Sequence, residues 1–305
     1  MATTQTNHHS DEANGGIRRS RLLDPVALGF GRPPKRRGRV ALALAVTWLG
    51  LVIFAAIFAD WLPIAHYTKP IAEARLRPGF QKEFLGTDTL GRSMLSRLVY
   101  GARSSFAVGF GAVFIGLGLG GLLGVLAGYF RGKVDMVIGV FLDALLAFPP
   151  LVLLLAVAAM FPPSVKSIVF ELSILAVPSY ARLARANTLA FAEREFVMAA
   201  RAMGAKHRRI LLKEILPNVL MPLIAFAFVA VAFLMVAEGA LSFLGAGVPP
   251  PSPSWGGMMA SGRAFLQSDP HLVFVPSIVL LITILSMNVI GDWSRRRFDT
   301  KDAAL

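Results

Sequence analysis

Three carboxylates stand alone inside long apolar blocks of this sequence: Asp143, Glu171 and Glu238. An acid within a membrane span is costly, so it faces a bundle interior or a watery cavity, where it serves ion or substrate passage. Pro149, Pro150 and Pro178 lie in the same blocks. Each withholds a backbone N–H and so frees a carbonyl to line a pathway or to bond another helix. A different chemistry is written between two blocks, in EREFVMAARAMGAKHRRILLKEILPN, residues 193–218. There Phe196, Ala199, Ala200 and Met203 form one small apolar face of a short helix, with Arg194 and Arg201 elsewhere on it. Gly204 supports a sharp break, because glycine enters positive-φ backbone freely, and a second basic helical segment follows. Pro217 suits the first turn of the next span, where no N–H is needed. A small apolar face flanked by charges is docking chemistry: it enters a protein groove while the charges fix its register.

Catalysis has no comparable footing. The sequence lacks a GxxxxGK[ST] phosphate loop, so ATP is not expected on this chain, and it lacks HExxH and GxSxG. His66, His207 and His271 show no ligand spacing, His8 and His9 read as solvated, and there is no cysteine to supply a thiolate. No catalytic residue, metal or resident cofactor is expected.

These groups need a scaffold, and composition says which kind. Of 305 residues, 55% are hydrophobic and 16% charged, with a mean hydropathy of +0.62. Soluble domains carry about 25% charged residues. The apolar residues fall into six blocks of the length a bilayer requires: roughly 40–62, 105–129, 136–160, 167–183, 217–244 and 272–292. The fourth is the weakest, being interrupted by Glu171 and Pro178. Blocks of this length favour helices over the short alternating strands of a membrane barrel. The expected fold is an all-α integral membrane protein of six transmembrane helices. Gly116, Gly120 and Gly124 recur at four-residue spacing in the second block, the pattern that lets two helix backbones approach closely. Outside the spans, residues 1–39 read as a disordered basic tail and 63–104 as an outer loop carrying an amphipathic surface helix at 89–103. Residues 105–292 read as a core of five spans with a coupling loop at about 188–216, and 293–305 as a C-terminal tail.

The formal net charge is +13, a value that raises nucleic acid as a partner. Its distribution answers otherwise. Six spans put both termini on one side, and 22 of the 31 Lys and Arg then share that side. The positive-inside rule makes that side cytoplasmic. The basic tail has no interleaved aromatics and no recognisable module, so nucleic acid is not expected.

At residues 193–218 the sequence resembles the EAA loop of ATP-binding-cassette importer permeases, with Met198-Ala199-Ala200, Gly204 and Leu216-Pro217 at the matching positions. Met198 stands where the family has Glu, with Glu195 one turn earlier as a partial substitute, and Glu214 stands where Ile is usual. FLGTDTLGRSMLSRLVYGARSS (84–105), VDMVIGVFLDALLAFPPLVLLL (134–155) and AEGALSFLGAGVPPPSPSWGGMM (237–259) narrow the likeness to the C-type subunits of dipeptide, oligopeptide and nickel importers, with Ser93 where Asp is usual. The resemblance covers roughly residues 35–300. It implies a type I importer permease fold in a prokaryotic plasma membrane. It also implies a heterodimer with a second homologous permease subunit, two cytoplasmic ATPase subunits holding ATP and Mg, and an extracytoplasmic substrate-binding protein. ATPase coupling falls to Glu195, Met198, Ala199, Ala200, Arg201, Gly204, Ala205, Leu216 and Pro217. Asp143, Pro149, Pro178 and Glu238 become candidates for the translocation pathway. Trp255, read as an interfacial anchor, and Arg263 lie in the outer loop that would meet the binding protein. Di- and oligopeptides are the expected substrates, with nickel or another small solute as the alternative. An ion-coupled secondary transporter using Asp143, Glu171 and Glu238 is the rival reading.

Overall fold

The computed structural model describes residues 35–79 and 83–302. Of the disordered tail expected over residues 1–39, residues 1–34, His8 and His9 included, lie outside them, as do residues 80–82 and 303–305; residues 35–39 are helical and open α1, which ends at Ile57, short of the expected 62. Contacts divide the chain after Ala41. The described part of the first unit is the opening of α1, and all the residues discussed below belong to the second.

The described residues contain helices and isolated bridges but no strand. The helices are α1 (Lys35–Ile57), α2 (Met94–Phe130), α3 (Gly132–Ala147), α4 (Pro150–Ala158), α5 (Val165–Ala192), α6 (Glu195–Ala202), α7 (His207–Phe243), α8 (Trp255–Gly262) and α9 (His271–Asp302). Five of them, α1, α2, α5, α7 and α9, are long and apolar enough to cross a bilayer; with the bent pair α3–α4 counted as one span the candidates number six.

Three boundaries differ from expectation. The separate surface helix expected over 89–103 is absent; Met94 begins the 37-residue α2, which runs through a π turn at Gly116–Gly120 to Phe130. Ser93 caps its start by accepting a hydrogen bond from the Ser96 N–H. Its apolar face at Met94 and Leu98 is buried against protein, so this segment is the start of a span and does not rest on a surface. The fourth block, the weakest in sequence, becomes α5, 28 residues long and the most enclosed of the spans. Pro178 sits inside it without ending it. The C-terminal tail expected from 293 continues α9 as far as Asp302.

Close packing of α2 on α5 explains the enclosure. A methyl group on Gly116 would lie 2.6 Å from the Ala176 Cβ, and one on Gly128 2.8 Å from the Thr188 Cβ. Between them, Gly120 and Gly124 meet the carbonyls of Val177 and Ala181. The small-residue stripe read from the sequence thus finds its partner in Ala176, Ala181 and Ala184. Helices associate in lipid through such close contact, because apolar tails provide no hydrophobic drive between spans.

The described residues between α1 and α2 are tied to one another and to the bundle by charged and polar contacts. The Asp88 carboxylate accepts the N–H groups of Leu90 and Arg92 at 2.9 Å, and pairs with the guanidinium groups of Arg92 (2.6 Å) and Arg97 (3.2 Å). Thr87 donates to the Glu73 carbonyl at 2.6 Å, and Arg75 pairs with Asp269 at 3.3 Å, fastening the segment to the α8–α9 connection. Arg103 of α2 reaches the last carbonyls of α1, those of Ala56 and Ile57, and pairs with Asp60 at 2.9 Å. A cation at a helix C-terminus satisfies orphan carbonyls and complements the dipole.

Candidate functional site

The segment between α5 and α7 is built around a helix too short to stand alone. α6 has eight residues, and isolated helices under about 12 residues are marginal in water. It is held by burying Val197 and Ala200. The apolar face therefore differs from the one expected. Ala200 turns inward with Val197, while Phe196, Ala199 and Met203 remain exposed on the other side. Met203 is 81% exposed and Met198 52%. Glu195 and Arg201 are also exposed.

Gly204 ends α6 at φ +77°. The Gly204 N–H donates to the Arg201 carbonyl at 2.9 Å, and the Ala205 N–H donates to the Ala200 carbonyl at 3.0 Å. This pair of bonds is the Schellman motif, which closes a helix through one left-handed residue. Nothing lies within 4 Å of where a Gly204 Cβ would stand. Backbone conformation alone, then, demands glycine here. Ala205, half-buried beyond the turn, packs against the core.

Three contacts absent from the sequence reading anchor the segment to the bundle. The Tyr129 hydroxyl hydrogen-bonds His207 Nδ1 at 2.8 Å. The Arg201 guanidinium lies over the Tyr129 ring, 5.6 Å from its centroid. Arg131 pairs with Glu193 at 2.7 Å. The available signal was an aromatic residue closing a Gly-rich span just before a basic pair, a pattern with no fixed meaning until the fold brings residue 207 to it.

Leu216 and Pro217 were expected to open the fifth span. They lie inside a helix that already runs from His207, just after a π turn at Ile210–Ile215. The Leu216 N–H reaches back five residues to the Leu211 carbonyl. A proline ring clashes with the carbonyl four residues earlier; the wider π turn provides room at that point, so the helix passes through Pro217. Ile210 and Ile215 are buried and seat the turn on the core.

The three acids share no hydrogen-bond or ion-pair partner. Asp143 pairs with Arg182 at 2.8 Å, with both side chains more than half exposed. Glu171 is buried, and its Oε2 has no hydrogen-bond partner among the described residues. Glu238 is buried between α7 and α8, where one oxygen accepts the Ser242 and Ser254 hydroxyls at 2.8 Å each. It fastens the N-terminus of α8, the natural seat for a carboxylate. Its observed contacts give it a tethering role.

Trp255 corrects an expectation. It is 1% exposed, donates its indole N–H to the Leu98 carbonyl at 2.9 Å and meets Phe106 edge-on. An indole sealed between α2 and α8 neither anchors at a lipid interface nor touches a binding protein. Arg263 stays exposed and donates to the Phe243 carbonyl at 2.8 Å, capping α7. Pro149 lies at the break where α3 and α4 diverge by 90°. Among the described residues no cluster of ligating side chains could hold a metal ion.

Residues 120–301 match the family described as binding-protein-dependent transport system inner membrane component. The chain belongs to this family. Curated relatives of the permease include the dipeptide transport system permease protein DppC of Alkalihalophilus pseudofirmus, 39% identical over 249 residues and 82% of each chain. The di/tripeptide transport system permease protein DppC of Pseudomonas aeruginosa is 37% identical over 82% of this chain and 85% of its own. The glutathione transport system permease protein GsiD of Pectobacterium atrosepticum is 35% identical over 87% and 88%. Among solved structures, the inward-facing MetNI methionine ABC transporter superposes with a TM-score of 0.56 at 20% identity, covering 67% of this chain and 97% of that one. The fold is accordingly that of an importer permease, an inner-membrane protein with several apolar spans.

Two departures from the family pattern acquire physical meaning in the permease. Ser93 replaces a usual Asp at the N-cap of α2, and serine caps about as well as aspartate. Met198 replaces a usual Glu at a position that faces outward, so the change alters the surface of α6 and leaves its packing intact.

Proposed function

We propose that this permease subunit forms half of the translocation pathway of an ATP-driven peptide importer and is coupled to cytoplasmic ATPase subunits through residues 193–217. The observation that carries the reading is the exposed face of Phe196, Ala199 and Met203 on a short helix closed by a left-handed Gly204. Apolar side chains left uncovered on a segment between two spans fit insertion into a partner's groove. Glu195, one residue before Phe196, and Met198 add exposed side chains to the same short helix. The relatives named for dipeptide, di/tripeptide and glutathione transport favour peptides over nickel or another solute. ATP and Mg would reside on the ATPases, delivery would fall to an external binding protein, and a second permease subunit would complete the pathway. Both termini would be cytoplasmic, in accord with the basic residues gathered on that side. Ion-coupled transport is disfavoured because Asp143 is paired with Arg182 and Glu238 is tethered by Ser242 and Ser254.

The absence of native cysteine makes the test clean. Single cysteines at Ala199 and Met203 should cross-link to the ATPase in native membranes, and an impermeant thiol reagent should label them only from the cytoplasmic side. Reconstituted complex should take up di- and tripeptides only with ATP. Labelling from outside, or uptake driven by an ion gradient without any ATPase, would refute the proposal.

A further inference from the structure

A cavity of about 350 Å³ lies between α3 and α5, lined among others by Asp135, Asp143, Arg182 and Arg185. Its size falls within the range of small-ligand sites, about 300–1,000 Å³. Two ion pairs cross it. Arg185 binds Asp135 in bidentate fashion, with Nη2 on Oδ2 at 2.7 Å and Nε on Oδ1. Arg182 reaches Asp143 through a single contact of 2.8 Å. The two pairs differ in how they are held. The Asp135 side chain is 24% exposed, whereas those of Asp143 and Arg182 are 71% and 60% exposed.

Charged side chains within membrane-spanning segments are costly in lipid and almost always turn to a bundle interior or a water-filled cavity, and both of these pairs line the cavity. The 90° break at Pro149 lies six residues beyond Asp143. Backbone broken at membrane depth is tolerated where it lines a cavity, and substrate sites of transporters gather at such discontinuities. The exposed ion pair thus lines the cavity from the helix that breaks six residues later.

We propose that this cavity is a subsite for zwitterionic peptides, in which the Asp143–Arg182 pair opens and exchanges partners with the substrate. The N-terminal ammonium of the peptide replaces Arg182 on the Asp143 carboxylate, and its C-terminal carboxylate takes the Arg182 guanidinium. Two charge-assisted bonds replace one. Exposed single-contact pairs contribute little stability of their own, about 0–1 kcal/mol, so opening is easy and release equally so. The bidentate Asp135–Arg185 pair stays closed and holds α3 to α5 while the upper pair exchanges. Once the substrate has left, the two side chains pair again and leave no unpaired charge behind. The inference rests on the peptide-import reading and adds to it the class of ligand, a free peptide with both termini charged.

The experiment measures ATP-driven dipeptide uptake in proteoliposomes holding the complete importer, at saturating binding protein. Asp143→Asn and Arg182→Gln should each lower uptake per ATP hydrolysed at least tenfold. The double substitution Asp143→Asn with Arg182→Gln removes both charges and leaves neither unpaired; it should keep the amount of assembled complex and still lose uptake. Uptake kept by the double variant would overturn the proposal, since losing an exposed pair that merely tethers α3 to α5 changes little. Wild-type vesicles that couple ATP hydrolysis to no peptide at all would overturn the peptide reading first, and the subsite with it.

Discussion

Replacing Gly204 tests the proposed coupling role of residues 193–217 at the turn that closes α6. The residue sits at φ +77° with open space around its missing Cβ, so substitutions act through the backbone alone. An L-residue in left-handed backbone costs about 1–2 kcal/mol, and Asn visits it more readily than Ala. Gly204→Ala should thus shift the balance between the closed turn and its alternatives about 5- to 30-fold, with Gly204→Asn close to wild type. Gly204→Pro goes further. Its ring fixes φ near −65° and deletes the N–H that the Arg201 carbonyl accepts, so the Schellman closure cannot form at all. Because no packing is lost, the protein should still insert and assemble. The assay is the complete importer in proteoliposomes, comparing binding-protein-stimulated ATP hydrolysis with peptide uptake. We expect a graded loss of coupling in the order Asn, Ala, Pro, ending with hydrolysis uncoupled from uptake. Normal substrate-stimulated hydrolysis together with normal uptake in Gly204→Pro would sink the reasoning, and so would a large loss of inserted protein.

Other substitutions probe the scaffold. Trp255→Ala empties a sealed site and should cost about 3–5 kcal/mol, seen as a lowered midpoint in detergent thermal unfolding; an unchanged midpoint contradicts the burial. Asp88→Asn leaves the buried Arg97 guanidinium without its counter-charge, a loss of about 3–5 kcal/mol that should appear as proteolytic nicking in segment 58–93. Gly124→Val drives a branched side chain into the Ala181 carbonyl and should abolish accumulation of the folded subunit, whereas Gly118→Val, in open space on the same helix, should be tolerated. Asp60, which accepts the Tyr100 hydroxyl and pairs with Arg103, has its carboxyl held below the ordinary 3.8. A depressed folded value means its contribution is present above that pH and is lost as pH falls through the lowered value. Thermal midpoints of wild type and Asp60→Asn should therefore differ at neutral pH and converge in acid.

Much of this was legible in the sequence because it depends on period and residue type. The apolar blocks, the glycine stripe of α2 and the break at Gly204 each follow from local stereochemistry, and the structure carries all three. What could not be read was orientation across space. Trp255 resembles an interfacial tryptophan until α2 supplies the Leu98 carbonyl for its indole. Glu238 resembles a pathway acid until the hydroxyls of Ser242 and Ser254 converge on it. Ala200 and Met203 lie on one helical stripe by periodicity alone, yet tertiary packing draws Ala200 inward and leaves Met203 out. The surface helix at 89–103 failed for a related reason: amphipathicity says that one face is covered, without saying whether lipid or protein covers it. In each case the deciding partner is remote in sequence.

The stripe from Gly116 to Gly128 also sets a timetable for biosynthesis. Its partner surface runs from Ala176 to Thr188, about sixty residues downstream, with the bent pair α3–α4 made in between. At about 5–20 residues per second, α2 waits about 3–12 s in or beside the translocon before the helix that covers its bare backbone exists. Whatever shields that groove in the interval governs how many chains mature, so the yield of this subunit should respond to translation speed across residues 130–190 more than across any other stretch.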